Sequence, residues 1–281
     1  MGMTEECIGK VYSLDGKLEQ VSGFHTFYRA GPGSIYEVLR VMDGIPLFLE
    51  DHINRLEQSM RLTKTHLPCS RTPVIRAVQD VIQANQLRNG NIRVVCQELE
   101  TGRQLFVFIT PHQYPDSDQY KNGVPVVLLQ ASRQIPNAKQ SDPRLNKMTS
   151  ERRMSEGVHE VLLVDDQDCI TEGSRSNVFF VRDGVVLTPP ATDVLPGITR
   201  KHILECCRQK HIRLREERIR VADLKGMDAV FISSTSRRVL PVNRIDETDY
   251  PPGHPVIREI QHGFNNMVTV YLLSSKLAAM E

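Results

Sequence analysis

The chain has 281 residues, enough to bury a sizeable core in one large domain or two modest ones. Lys plus Arg is 35 and Asp plus Glu is 34, a formal net charge of +1, which argues against duplex DNA or an anionic membrane as a partner. No long apolar run is present and the start, Met1 to Lys10, is polar, so neither a signal peptide nor a membrane span is expected.

The six cysteines show no paired-ligand spacing, and Cys206-Cys207 are adjacent, which suits neither a zinc knuckle nor an easy disulfide. Reduced thiols in a cytoplasmic chain are the expectation. The nine histidines are scattered without an HExxH-type pair, so no structural metal is expected.

In chain order, residues 8–22 read as a short strand pair turning at Asp15-Gly16. After the break Gly31-Pro32-Gly33, residues 34–41 read as a strand, and Asp43-Gly44 turns it back into 45–49 as a hairpin. Glu50 or Asp51 then caps a helix carrying Ile53, Leu56, Met60 and Leu62. A second helical period covers 72–87, with Val74, Ala77, Val78, Val81 and Ile82 on one side. Residues 91–98 and 104–110 read as a hairpin closed by Thr101-Gly102. Along the first of these, alternation puts Arg93 on one face with Asn91 and Val95. The polar run Pro111 to Gly123 reads as connecting chain. It divides a small N-terminal α+β domain, 1–113, from a larger C-terminal domain, 124–281, with 114–123 as the linker.

Beyond it come a strand at 124–131, the loop Ile135-Pro136-Asn137-Ala138-Lys139 and a helical segment at 144–157. The strand 160–164 turns at Asp165-Asp166 into Cys169-Ile170-Thr171. A dense stretch follows: Glu172-Gly173-Ser174, the apolar run Val178 to Val181, a turn at Asp183-Gly184, and Pro196-Gly197-Ile198-Thr199 before a helix at 201–209. Gly197 permits a tight backbone there, and the amides of Ile198 and Thr199 at a helix start form a candidate anion site or an ordinary helix entry. A strand at 212–219, a short helix at 221–225, a strand at 229–233 running into Ser233-Ser234-Thr235-Ser236, and an amphipathic helix at 255–277 complete the chain.

The stretch from Thr171 to Arg200 resembles the signature of the class IV aminotransferases. These are pyridoxal-phosphate enzymes of fold type IV, such as branched-chain and D-amino-acid aminotransferases and aminodeoxychorismate lyase. The run Glu37-Val38-x-Arg40-Val41 with Gly44-x-Pro46-Leu47-Phe48-Leu49-Glu50-x-His52-x-x-Arg55-Leu56 resembles the same family, and the likeness covers roughly residues 30 to 245. It implies an α+β, two-domain fold with a small N-terminal α/β domain and a larger, β-barrel-like C-terminal domain with flanking helices. It also implies pyridoxal 5'-phosphate as cofactor, small amino acids and 2-oxo acids as substrates, and a homodimer.

The family's chemistry needs a Schiff-base lysine, an acid at the pyridine nitrogen, donors for the phosphate and a proton shuttle. Lys139 and Lys147 both precede Glu172. Counting back from the strand at 160–163 puts the family's lysine, which also moves the proton, at Lys139. By the same resemblance Glu172 is the acid. Arg55, Ile198, Thr199, Ser234 and Thr235 hold the phosphate, and Tyr36 and Arg93 meet the substrate. The chain departs from the family at Gln140-Ser141-Asp142-Pro143, where an Asn-Tyr pair often follows the lysine. It departs again at Phe27-Tyr28-Arg29-Ala30-Gly31-Pro32-Gly33, in place of Asp-Arg-Gly…Gly-Asp-Gly. The expected activity is amino transfer between an amino acid and a 2-oxo acid. The alternatives are a lyase that eliminates pyruvate on the same fold, or a pyridoxal-phosphate-binding protein without transaminase activity.

Overall fold

Two Asp-Gly turns shape the first sheet. Asp15 and Gly16 have φ of 50° and 83°, Asp43 and Gly44 of 51° and 80°, the backbone that two-residue hairpins require. In the computed structural model, which describes residues 6–29, 31–65, 70–99 and 102–278, the first turn joins β1 (Ile8–Leu14) to β2 (Lys17–Gln20). The second joins β3 (Ile35–Met42) to β4, which is only Ile45–Pro46. With β5 (Gly90–Leu99) and β6 (Gly102–Thr110) these make a six-stranded sheet in the order β2-β1-β6-β5-β3-β4. The residue Thr101 of the expected β5–β6 turn lies outside the described residues.

A one-turn helix α1 (Phe24–Phe27) precedes β3, and α2 (Leu49–Leu62) and α3 (Arg71–Ala84) follow it. The two longer helices cover one face of the sheet. Ile53, Leu56 and Met60 of α2 and Val74, Ala77, Val78, Val81 and Ile82 of α3 pack on Leu39, Val41, Ile92 and Val94. The other face is aromatic: Tyr12, Phe24, Tyr28, Phe106 and Phe108 cluster with Val95. Helix α2 begins differently from the sequence expectation. Its N-cap is Phe48 in a left-handed conformation without a side-chain cap. Glu50 and Asp51 lie in the first turn, where their charges complement the positive end of the helix dipole instead of capping it. Leu62, the last residue of α2, is 44% exposed.

Between residues 111 and 123 the chain is not all connector. Asp116 caps α4 (Ser117–Asn122) through a capping box with Gln119. Two compact units are distinct: 1–113 with 138–142 and 269–281, and 114–137 with 143–268. The second unit contains β7 (Val124–Gln130), α5 (Pro143–Ser155), β8 (Glu160–Val164), β9 (Cys169–Gly173), β10 (Asn177–Arg182) and β11 (Val185–Thr188). It continues with α6 (Ile198–Gln209), β12 (Leu214–Glu216), β13 (Ile219–Arg220), β14 (Ala229–Ser234), β15 (Arg238–Ile245) and β16 (Thr248–Asp249). The final helix α7 (Pro255–Ala278) contributes to both units.

The strands of this unit form one sheet in the order β12-β11-β10-β14-β15-β7-β8-β9-β13, with β16 beside β15. The single strand expected at 212–219 is in fact two. β12 runs parallel to β11 on one edge, and β13 runs antiparallel to β9 on the other. Only Glu217 and Arg218 separate them, so the sheet must curl until its edges nearly meet, as in a barrel. β15, which no sequence signal announced, is central. Its Pro241 pairs with Phe231 of β14 and stands one residue before β7 begins to pair, at Val242. Pairing with β7 therefore makes no demand on the amide that proline lacks. No helix among the described residues is long and apolar enough to cross a membrane.

Candidate functional site

In the first unit, residues 139–141 lie as an extra extended segment along the chain that enters β3. The Tyr36 amide donates to the Lys139 carbonyl at 3.0 Å, the Ser141 amide to Ser34 at 2.8 Å, and Gln140 bridges Ile35. The Lys139 amide donates to the buried Ser59 hydroxyl of α2 at 3.0 Å. The lysine backbone is thus fixed on both sides. Its Nζ lies 4.7 Å from the centre of the Tyr36 ring, and the guanidinium of Arg93 lies 4.6 Å from the same centre. Both are cation–π contacts. Lys139, Tyr36 and Arg93 therefore share one neighbourhood. Lys147, the other candidate, sits on α5 with its side chain 77% exposed and pairs with Glu151 one turn on. Arg93 is not on an edge: β5 lies between β3 and β6.

Arg55 is buried, at 6% exposure, and its setting includes two residues to which the sequence reading gave no role. Glu37 takes Arg55 Nε at 2.7 Å and Nη2 at 2.6 Å, and His52 Nδ1 donates to Glu37 at 2.7 Å. Burial alone would raise the Glu37 carboxyl. The Arg55 charge and the hydrogen bonds from Arg55 and His52 prevail and lower it to about 2. His52 is shifted down by burial, against the pull of Glu37. A signal for Glu37 exists in the sequence: it continues the buried series Ile35, Leu39, Val41 of β3, where a charge needs a buried partner.

In the second unit Glu172, the penultimate residue of β9, is 4% exposed. Arg133 Nε donates to one of its oxygens at 2.8 Å, and the Leu195 amide to the other at 3.3 Å. The same arginine donates through Nη2 to the Ser174 carbonyl at 2.7 Å. Asn177 donates through Nδ2 to the Leu195 carbonyl at 2.9 Å. The turn after Glu172 is thereby tied to the loop that leads into α6. Gly197 is that helix's N-cap, and a Cβ on it would lie 2.0 Å from Asn177 Oδ1, so no other residue fits.

The start of α6 carries no side-chain cap, although Ile198, Thr199 and Arg200 are all buried. A buried helix N-terminus without a cap needs an acceptor from elsewhere. Ser233 adds a second donor, because its hydroxyl is buried and has no hydrogen-bond partner among the described residues. Ser233 pairs with Asn177 across β14 and β10, on the face where Asn177 meets the α6 entry. Ser234 and Thr235, and not Ser233, are the donors that the sequence resemblance implies. Both implied residues are half-buried at the end of β14, with the Ser234 hydroxyl accepting from the Arg237 amide at 3.3 Å. Buried, donor-rich and closed to side-chain caps, this place fits a phosphate-bearing group.

A fully buried carboxylate, Glu160, lies behind both turns. It accepts from the Ser174 hydroxyl at 2.5 Å and the Ser176 hydroxyl at 3.0 Å, and pairs with Arg237 Nη1 at 3.5 Å. Arg237 Nε in turn donates to His159 Nε2 at 2.9 Å. Burial opposes the Glu160 charge, but Arg237 and Arg175 hold the carboxyl down at about 2. His159 is held at about 4 by burial and then by Arg237.

A curled sheet with its helices and a smaller α+β unit are the architecture of the fold type IV aminotransferases. Residues 34–245 match the family model of amino-transferase class IV, and the chain belongs to that family. D-alanine aminotransferase of Bacillus licheniformis is 28% identical over 255 residues, 86% of this chain and 89% of the relative. The crystal structure of Escherichia coli branched-chain amino acid aminotransferase superposes with a TM-score of 0.81 at 24% identity, over 93% of this chain and 95% of that one. A structure described as a putative 4-amino-4-deoxychorismate lyase, from Legionella pneumophila, gives 0.76 at 20% identity, over 84% and 91%.

Proposed function

We propose that the chain is a pyridoxal-phosphate-dependent aminotransferase that moves an amino group between an amino acid and a 2-oxo acid. The observation that carries this reading is the buried, uncapped start of α6, bonded through Leu195 to Glu172. One anion-accepting element and one carboxylate are held in fixed relation, as a cofactor with a phosphate and a basic ring nitrogen requires. When bound, pyridoxal phosphate supplies an electron sink for negative charge at the substrate α-carbon.

The chain's own residues supply the rest. Lys139 would hold the cofactor covalently through its amine and, once released, carry the proton to and from the α-carbon. Its fixed backbone leaves the side chain alone to move. Glu172, oriented by Arg133, would keep a proton on the ring nitrogen by charge pairing. The amides of Ile198 and Thr199, the Thr199 hydroxyl, Ser234, Thr235 and Arg55 would hold the phosphate. Tyr36 and Arg93 would meet the substrate, Arg93 through a carboxylate. The reading extends to a homodimer in the cytoplasm.

Borohydride reduction of the cofactor-loaded protein followed by peptide mass mapping tests it: the label should fall on Lys139 and vanish in Lys139→Ala. A label on Lys147, or none, would refute the assignment. The Legionella structure favours a lyase as second reading, because the same fold carries that description. Amino transfer to 2-oxoglutarate, measured against pyruvate release from aminodeoxychorismate, separates the two.

A further inference from the structure

Two buried donors in the first unit have nothing to donate to among the described residues: the Tyr28 hydroxyl and Arg93 Nε. They belong to one neighbourhood. Arg93 stands directly opposite Phe108 across β5 and β6, and the Tyr28 ring centre is 5.2 Å from that of Phe108. The Arg93 guanidinium also covers Tyr36, whose other cationic neighbour is Lys139. Tyr28 is 5% exposed and locked by its ring contacts, 4.6 Å to Phe24 and 5.2 Å to Phe106. Those ring contacts fix where its hydroxyl stands. Burial pushes it up to about 12, with Arg93 pulling the other way, so it is a neutral donor at any working pH.

A core has no reason to keep such a pair. Each unpartnered buried donor costs stability, and phenylalanine in place of Tyr28 would pack as well. The contrast with Tyr12 is instructive. Its hydroxyl is also buried and unpartnered among the described residues, but the groups that bear on it are Glu19 and Cys7, both of which push it further up. At Tyr28 a neutral donor feels the charge of the Arg93 guanidinium, which shares the Tyr36 ring with the proposed catalytic lysine.

We propose that Tyr28 and Arg93 together form a carboxylate site for the substrate, with the Tyr28 hydroxyl as a specificity-determining donor. The proposal rests on the aminotransferase reading and adds a residue to it. Tyr28 lies in the segment 27–33 that departs from the family pattern. The site takes one carboxylate oxygen on the hydroxyl and another on the guanidinium edge, and the two orphaned donors are satisfied only when substrate is present.

The test is Tyr28→Phe, which removes one oxygen and keeps the ring. Steady-state transamination is measured with a 2-oxo acid bearing one carboxylate, pyruvate, and one bearing two, 2-oxoglutarate, beside a thermal melt of the unliganded protein. The expected result is a KM raised about tenfold or more with kcat little changed. The melting temperature should be equal or higher. A rise for both acceptors places the α-carboxylate on Tyr28, and a rise for 2-oxoglutarate alone places the distal one there; either supports the site. Unchanged KM for both, in a folded and active variant, overturns it. Should Tyr28→Phe not fold, Arg93→Lys, which keeps the charge and loses the planar fork, carries the test by the same KM criterion. Inactive wild-type protein would sink the aminotransferase reading itself, a result distinct from an active enzyme indifferent to Tyr28.

Discussion

Each unit holds a Glu-Arg-His trio, fully buried in the first and with a half-buried His159 in the second, and the two are wired differently. In the first, both Arg55 and His52 donate to Glu37, so the carboxylate is the hub. In the second, Arg237 is the hub: it pairs with Glu160 on one side and donates to His159 on the other. Glu160 spends its remaining capacity on Ser174 and Ser176, in the turn that follows Glu172. The first trio thus holds one arginine side chain that is proposed to meet phosphate. The second holds two backbone turns, and through Ser174 and Arg133 it reaches Glu172. The same three residue types serve in one place to aim a side chain and in the other to set the course of the main chain.

Removing the hub should hurt most. Glu37→Ala would strand Arg55 without its counter-charge in a buried site, at a cost of about 3–5 kcal/mol. Urea denaturation of the variant against the parent checks it. A loss under ~1 kcal/mol would mean that the pair is not a buried one in solution.

Acid should separate the trios next. His159 is held at about 4 against an ordinary 6.5, so between those values the unfolded chain binds a proton that the folded chain refuses. Stability should therefore fall as pH drops from 6.5 to 4 and stay level above 6.5. His52, also shifted down, adds in the same sense. Below the ordinary carboxylate value of 4.5, Glu37 and Glu160, both near 2, bring a further loss. His159→Gln should flatten the upper part of this profile and leave the lower part intact, as read by urea midpoints at pH 7.5, 5.5 and 4. An unchanged slope would assign the upper window to His52 alone.

The smallest effect belongs to the lysine outside both networks. Lys147→Ala should move stability by no more than about 0.5 kcal/mol, since its pairing with Glu151 is a surface one, and should leave cofactor retention unchanged. Thermal melts and cofactor absorbance after dialysis measure both. Any loss of cofactor would reopen the choice between the two lysines.

Local signals carried much of the fold. Asp-Gly pairs marked hairpins because positive φ is cheap there, and the apolar series of α3 was fully legible from its period. β15 was not, because Pro241, Asn243 and Arg244 interrupt any strand-like alternation, and its place in the sheet comes from partners far away in sequence. The split of 212–219 was hidden for the same reason, since each half answers to a different edge. In the candidate site, short motifs located Lys139, Arg55, Glu172 and the α6 start. Their supports, Arg133, Glu37 and Ser59, stand 39, 18 and 80 residues from the groups they hold. Glu37 and Glu160 did leave a trace, as charges within otherwise buried strands.

The binding of Lys139 at both its amide and its carbonyl has a mechanical consequence. With the main chain clamped between β3 and α2, any displacement of the amine comes from rotation about the four methylenes of its own side chain. In the proposed role the lysine would work as a short arm on a fixed pivot, its reach set by rotamers rather than by loop opening.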